Sequence, residues 1–202
     1  MTPLCAELDS KYEDMEYLFR LLRISKEAAS ELGQWAADRL WSIALAEDEA
    51  NKAEREVERM FLSERVVRPV EVLNRELERV REAKEIVKNH VFSPPKLDCK
   101  SVSSKVIALR LYLNSVFEKT TDARCIVFVQ KRYTARLLGE LFKHIGTSHM
   151  RMGLLIGTNG GETGDIKFTF RQQVLTLMKF RKGEINCLVS VLHILLDIIH
   201  YQ

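Results

Sequence analysis

Two passages decide the fold of this chain: RCIVFVQKR at residues 124–132 and FRQQVLTLMKFRKGEINCLV at residues 170–189. The first is an apolar run of strand length, Cys125 to Val129, that ends in Gln130, Lys131 and Arg132. The second is a helix pattern, Phe170 to Arg181, that passes Gly183 into another apolar run, Ile185 to Val189. Between them lie a helix pattern from Tyr133 to Ile145 (Leu137, Leu138, Leu141, Phe142), a third apolar run from Met152 to Ile156 and the loop GTNGGETGD at 157–165. Gly146 suits the C′ position of the first helix, and Thr169 with Gln172 has capping-box spacing before the second. The order strand, helix, strand, loop, helix, strand predicts an α/β fold whose parallel sheet is flanked by helices. Strands that are apolar throughout, rather than alternating, are expected to be buried on both faces.

A parallel sheet carries its ligands on the loops beyond the carboxyl ends of its strands. Here those loops hold Gln130, Lys131, Arg132, Gly157 and Thr158. Together with Thr134 and the cations Lys179, Arg181 and Lys182, they predict one basic rim on one edge of the sheet. Such a rim suits sequence-independent, salt-sensitive contacts with a nucleic-acid backbone. No aromatic platform for stacking bases accompanies it, so shape and backbone binding are favoured over base reading. The glycine-rich loop is no nucleotide cradle: no Gly-Lys-Ser/Thr or GxGxxG is present, and Glu162 and Asp165 would repel a phosphate. GxSxG, HExxH and a dense acidic cluster are also missing, so no catalytic centre is predicted.

Upstream the chain reads as helical. Met15, Leu18, Phe19 and Leu22 have helical spacing from Lys11 to about Arg23. A second helix is expected from near Ser25 past Trp35 and Trp41, with Gly33 as a local break. Alternating charges from Glu47 to Arg59, including the pair Asp48 and Lys52, make a third, with Val57, Met60 and Phe61 as its apolar edge. SERVVRP reads as a turn. The longest helix follows, with Val70, Leu73, Leu77, Val80, Val87 and Val91 along one stripe and Lys84 interrupting the seam. SPPKLDCKS is the expected linker. A last helix, Ser101 to Glu118, turns Val106, Leu109, Leu113 and Val116 or Phe117 to one side and leads into the sheet.

The net charge of +3 hides an asymmetry. Residues 1–98 hold 16 Lys+Arg against 21 Asp+Glu, net −5; residues 99–202 hold 15 against 7, net +8. The basic half is therefore the candidate for a polyanionic partner. Four cysteines show no CxxC spacing and five histidines no metal-ligand pattern, which argues for a reducing, cytoplasmic setting without zinc or a disulfide framework. No signal-peptide pattern opens the chain, and VSVLHILLDII is too short to span a bilayer.

CIVFVQKRYTARLL, with LLIGTNGGETGDIKFTFRQQVLTLMKFRKGEINCLV, resembles the start of the second RecA-like lobe of superfamily 2 helicases, above all in fungal Dicer-like proteins. ELGQWAADRLW and the charged helix pair that follows it are similar to the helical domain inserted beside that lobe. The resemblance implies a helical insertion domain over 1–98, a partial RecA-like lobe over 99–189 and a divergent tail over 190–202. It implies that Phe128, Val129, Gln130 and Arg132 belong to motif IV, that Gly157 and Thr158 approach an RNA backbone, and that Gln172, Phe180, Arg181 and Gly183 belong to the helix before motif V.

For the family it implies a large ATP-dependent endoribonuclease, partnered by double-stranded RNA, its first helicase lobe and its nuclease domains. Such enzymes make small interfering RNAs for silencing and antiviral defence. This sequence departs from the pattern where motif V should begin, since SVLHILLDIIHYQ follows Val189. It also holds no Walker lysine, no acidic metal-binding box and no nuclease motif. ATP and Mg²⁺ are thus expected to belong to the parent protein, and this polypeptide alone is expected neither to hydrolyse ATP nor to cut RNA. The ending fits a truncated or misread product, and the lobe is expected to leave apolar surface exposed. Two other readings remain: a fragment of another RNA-sensing helicase of the same superfamily, and a helical module that only docks proteins.

Overall fold

The computed structural model describes residues 2–12, 16–45, 50–63, 69–157 and 169–191, with side chains at 50–52 and 63 excepted. The chain divides into two compact units between Ser93 and Pro94, inside the neighbourhood of the expected linker and five residues before the expected boundary at 98.

The first unit is all helix: α1 (Pro3–Tyr12), α2 (Glu16–Leu32), α3 (Gln34–Ala44), α4 (Ala50–Ser63) and α5 (Val70–Asn89). Its core joins Leu4, Leu8 and Tyr12 of α1 to Leu18, Leu21 and Leu22 of α2, Trp41 of α3, Val57 of α4 and Val80, Ala83 and Val87 of α5. Several expectations need correction. No break occurs at Ser25: α2 runs unbroken to Leu32, because Ser25 is buried and its hydroxyl is used. It accepts the Trp41 indole N–H at 3.1 Å and lies 3.2 Å from the Cys5 sulfur. The break falls at Gly33, whose φ of 111° is open to glycine and strained for other residues.

Phe19 points outward rather than into the apolar face. In α5 the seam does not need Lys84, since Ala83 takes the buried position; Val70 and Val91 are exposed, and Val91 lies beyond the helix. Arg81 of α5 grips Glu54 of α4 with two nitrogens, at 3.2 and 2.8 Å. That hydrogen-bonded guanidinium holds the Glu54 carboxyl below its ordinary range. Met15, Asp48 and most of SERVVRP lie outside the described residues.

The second unit is α/β. It comprises α6 (Ser104–Lys119), β1 (Cys125–Val129), α7 (Arg132–Ile145), β2 (Met152–Leu155), α8 (Phe170–Lys182) and β3 (Cys187–Val191). All pairing is parallel, as the apolar runs predict, and the strand order is β1-β3-β2. β3 is central and buried at all five positions. It extends two residues past the expected end at Val189, pairing Ser190 and Val191 with Phe128 and Val129. β1, by contrast, is an edge strand among the described residues. That is why it is only half-buried, with Phe128 49% exposed, where full burial was expected.

Two glycines work differently. Gly183 caps α8 in the left-handed region at φ 79°, as expected. Gly146 ends α7 in an extended conformation, φ −65°. What it needs is space, since a Cβ there would lie 2.3 Å from the Phe142 carbonyl oxygen. Among the described residues no helix is long and apolar enough to cross a membrane.

Candidate nucleic-acid interface

Because the strands are parallel, α7 and α8 must each return from the carboxyl edge of the sheet to its amino edge. This decides where the candidate residues sit. Gln130, Lys131 and Arg132 leave the carboxyl end of β1, and Gly157 follows the carboxyl end of β2. Thr169 and Gln172, at the start of α8, belong to the same side. The end of α8 belongs to the opposite side. There the Glu184 amide donates to the Lys179 carbonyl at 2.9 Å. Arg151, just before β2, donates to the carbonyls of Glu184 and Gly183, both at 3.2 Å. Arg124, just before β1, lies beside Gly183.

The expectation of one basic rim is therefore corrected. Lys179, Arg181 and Lys182 stand at the amino edge with Arg124 and Arg151, away from Gln130, Lys131 and Arg132. Strands of five residues span about 16 Å, which exceeds the screening length of about 8 Å at physiological salt. The two clusters are therefore separated by more than one screening length. Arg124 and Arg151 escaped the sequence reading; the signal was a cation immediately before the apolar runs that begin at Cys125 and Met152.

The carboxyl edge is more ordered than a row of surface cations. The Arg132 guanidinium donates to the Gly157 carbonyl at 2.8 Å, tying the loop after β1 to the loop after β2. Lys131 lies 5.5 Å from the centre of the Tyr133 ring, a cation–π geometry that holds the ammonium at the surface. Gln130 is exposed, and Lys131 and Arg132 are half-buried. Thr134 is 5% exposed and lies beneath the rim rather than on it. Gln172 closes the capping box of α8: its Oε1 accepts the Thr169 amide at 2.8 Å, and its own amide donates to the Thr169 hydroxyl at 3.2 Å. The side chain is thereby committed to the helix start. Val129 is half-buried and Phe128 faces out beside the rim. Thr158 lies outside the described residues.

No protein-family model matches the chain. Curated proteins do. Dicer-like protein 1 of Neosartorya fischeri is 43% identical over 189 residues, 94% of this chain. Dicer-like protein 1 of Aspergillus niger is also 43% identical over 189 residues, and that of Neurospora crassa 37% over 196. The chain is a relative of the fungal Dicer-like proteins. It spans about 12% of the length of those relatives. Among solved structures, the helicase domain of Pyrococcus furiosus Hef is similar at 18% identity and a TM-score of 0.43, over 92% of this chain and 33% of that one.

The Dicer-like resemblance carried by CIVFVQKRYTARLL thus extends over nearly the whole chain, including its helical first half. Among the described residues no group of three or more His, Cys, Asp or Glu side chains is placed to hold a metal ion. What the described part of the carboxyl edge offers is a cation, an exposed amide side chain and two strand-end loops tied by Arg132.

Proposed function

We propose that this chain is part of the helicase region of a Dicer-like protein, and that the carboxyl edge of its sheet lies against the backbone of double-stranded RNA. The parent protein would supply ATP, Mg²⁺, the first helicase lobe and the nuclease domains. Its work would be the ATP-dependent processing of duplex RNA into small interfering RNAs in the cytoplasm, for silencing and antiviral defence. This chain alone would neither hydrolyse ATP nor cut RNA.

The observation that carries the reading is the Arg132–Gly157 bond, which holds two strand-end loops together beside Lys131 and Gln130. Loops fixed in this way present backbone N–H groups and a cation to phosphates without prior ordering, so little entropy is lost on binding. Contacts of this kind follow the backbone and not the bases, so duplexes of unrelated sequence should bind alike.

The test is a titration of the 202-residue chain with two duplex RNAs of equal length and unrelated sequence, each at low and at physiological salt. The expected result is equal affinity for both, weakening with salt according to the number of phosphates neutralised. No binding at low salt would sink the proposal and leave a protein-docking role. A strong preference for one sequence would sink the backbone mode.

A further inference from the structure

Two of the four cysteines meet across the sheet. Cys125 opens β1 and Cys187 opens β3, and they are direct partners in the parallel register. Their sulfurs are 3.2 Å apart, in a thiol–thiol hydrogen bond. Both are free thiols, Cys187 buried and Cys125 half-buried. Neighbouring strands lie about 4.8 Å apart, inside the Cα separations of about 4.4–6.8 Å that a disulfide bridges. The pair therefore needs side-chain rotation rather than a change of fold to join.

We propose that Cys125 and Cys187 form a reversible, peroxide-driven disulfide that staples edge strand β1 to central strand β3. The chemistry divides by exposure. Sharing the hydrogen bond with Cys187 holds the Cys125 thiol below its ordinary range, so the half-buried sulfur is the one poised as thiolate. The same bond, with burial, pushes the Cys187 thiol up and keeps its proton on.

The Cys125 thiolate attacks one oxygen of a hydroperoxide. The O–O bond breaks, and the leaving oxygen takes a proton to depart as water or an alcohol. The product is a sulfenic acid at Cys125. The Cys187 sulfur then attacks the Cys125 sulfur. The S–S bond forms, the S–O bond breaks, and the departing hydroxide takes the Cys187 proton to leave as water. Two thiols lose two electrons, and the peroxide gains them. Because the bridge joins directly opposed positions near the short end of the permitted range, it should be reduced readily by a dithiol, as labile, regulatory disulfides are. The other cysteines have other surroundings. Cys5 is buried against Ser25 in the helical unit, and Cys99 is exposed with no cysteine beside it.

The test treats the full chain with hydrogen peroxide, blocks remaining thiols, and maps tryptic peptides without reduction, both in buffer and in urea. Trypsin releases Cys125 in CIVFVQK and Cys187 in the peptide that begins at Gly183. The expected result in buffer is these two peptides joined, lighter by about 2 Da for the two hydrogens lost, in excess over every other pairing, and separated by a dithiol. In urea that preference should vanish. Overturning results are a joined pair no more frequent in buffer than in urea, or Cys99 oxidised while Cys125 and Cys187 stay as thiols. In Cys187→Ser, a sulfenic-acid probe should label Cys125; in Cys125→Ser, it should not label Cys187. The reverse labelling would overturn the assigned order of attack. The wild-type map decides the proposal even if a variant does not fold.

Discussion

In the helical unit most large side chains join one enclosed core and surface cations meet acids, although Phe19, Leu62 and Val70 stay outside. Leu8, Leu18, Leu21 and Trp41 are fully enclosed, and pairs such as Arg81–Glu54 and Lys26–Asp9 sit at 2.8 Å. In the α/β unit the same kinds of residue are left outside. Phe128 of β1 and Phe170, Val174, Leu175 and Met178 of α8 are exposed, and the sequence from 99 to 202 carries eight more positive than negative charges, net +8. The expectation of exposed apolar surface is met on these elements. Both units expose some apolar side chains; in the α/β unit they gather along α8, and the charge excess is positive. Burying a Leu-sized side chain contributes about 1.5–3 kcal/mol, so exposure of five such residues withholds a substantial share of possible stability from the α/β unit.

The contrast can be broken most forcefully at Trp41. Trp41→Ala removes the largest enclosed side chain of the helical core and leaves the Ser25 hydroxyl without the indole donor. It should cost about 3–5 kcal/mol, read by urea unfolding, with hydrogen-exchange protection lost first across α1 to α3. Loss of protection first in β3 would show that the two units are not built as described.

In the α/β unit α7 seats closely on β2 at Gly139, where an added Cβ would come within 2.6 Å of Leu154 Cδ2. Gly139→Val should cost about 1–3 kcal/mol through overpacking, despite replacing a helical glycine. A neutral or stabilising result would mean that α7 is not seated closely on β2. Smaller still is Thr169→Ala, which removes one half of the capping box and should cost about 1 kcal/mol, seen as faster amide exchange in the first turn of α8.

The mildest effect is one of pH. Burial raises the Asp38 carboxyl above its ordinary value, against the opposing hydrogen bond from Thr2 at 2.6 Å. The folded chain therefore holds this proton at pH values where the unfolded chain has released it. Stability should fall as pH rises from the ordinary carboxylate pKa through the raised one. Asp38→Asn should flatten that slope in urea titrations across the acid range, while an unchanged slope would place its origin elsewhere.

Much of this was open to reading from sequence, for identifiable reasons. Continuous apolar runs such as CIVFV and the Thr169–Gln172 spacing state a local rule, and the structure follows it in the parallel sheet and the capping box. What failed depends on neighbours. β1 looks as apolar as β3, yet only β3 is flanked by strands on both sides among the described residues, so Cys125 is half-buried and Cys187 buried. Ser25 looks like a helix start until its hydroxyl is seen under Trp41. Leu4, Cys5, Leu8 and Tyr12 form the buried side of α1, a pattern only ten residues long. The rim was misplaced because charge says nothing about direction. Only the return of α8 against the strands puts Lys179, Arg181 and Lys182 at the far edge.

That separation gives the sharpest measurement. Duplex-RNA affinity would be compared for the wild-type chain, for Lys131→Glu at the carboxyl edge, and for Lys179→Glu with Lys182→Glu at the amino edge, at physiological salt by fluorescence anisotropy. The single carboxyl-edge reversal should weaken binding by at least about tenfold, or 1.4 kcal/mol, and the double amino-edge reversal should change it by much less. Equal losses, or a larger loss from the amino edge, would contradict this.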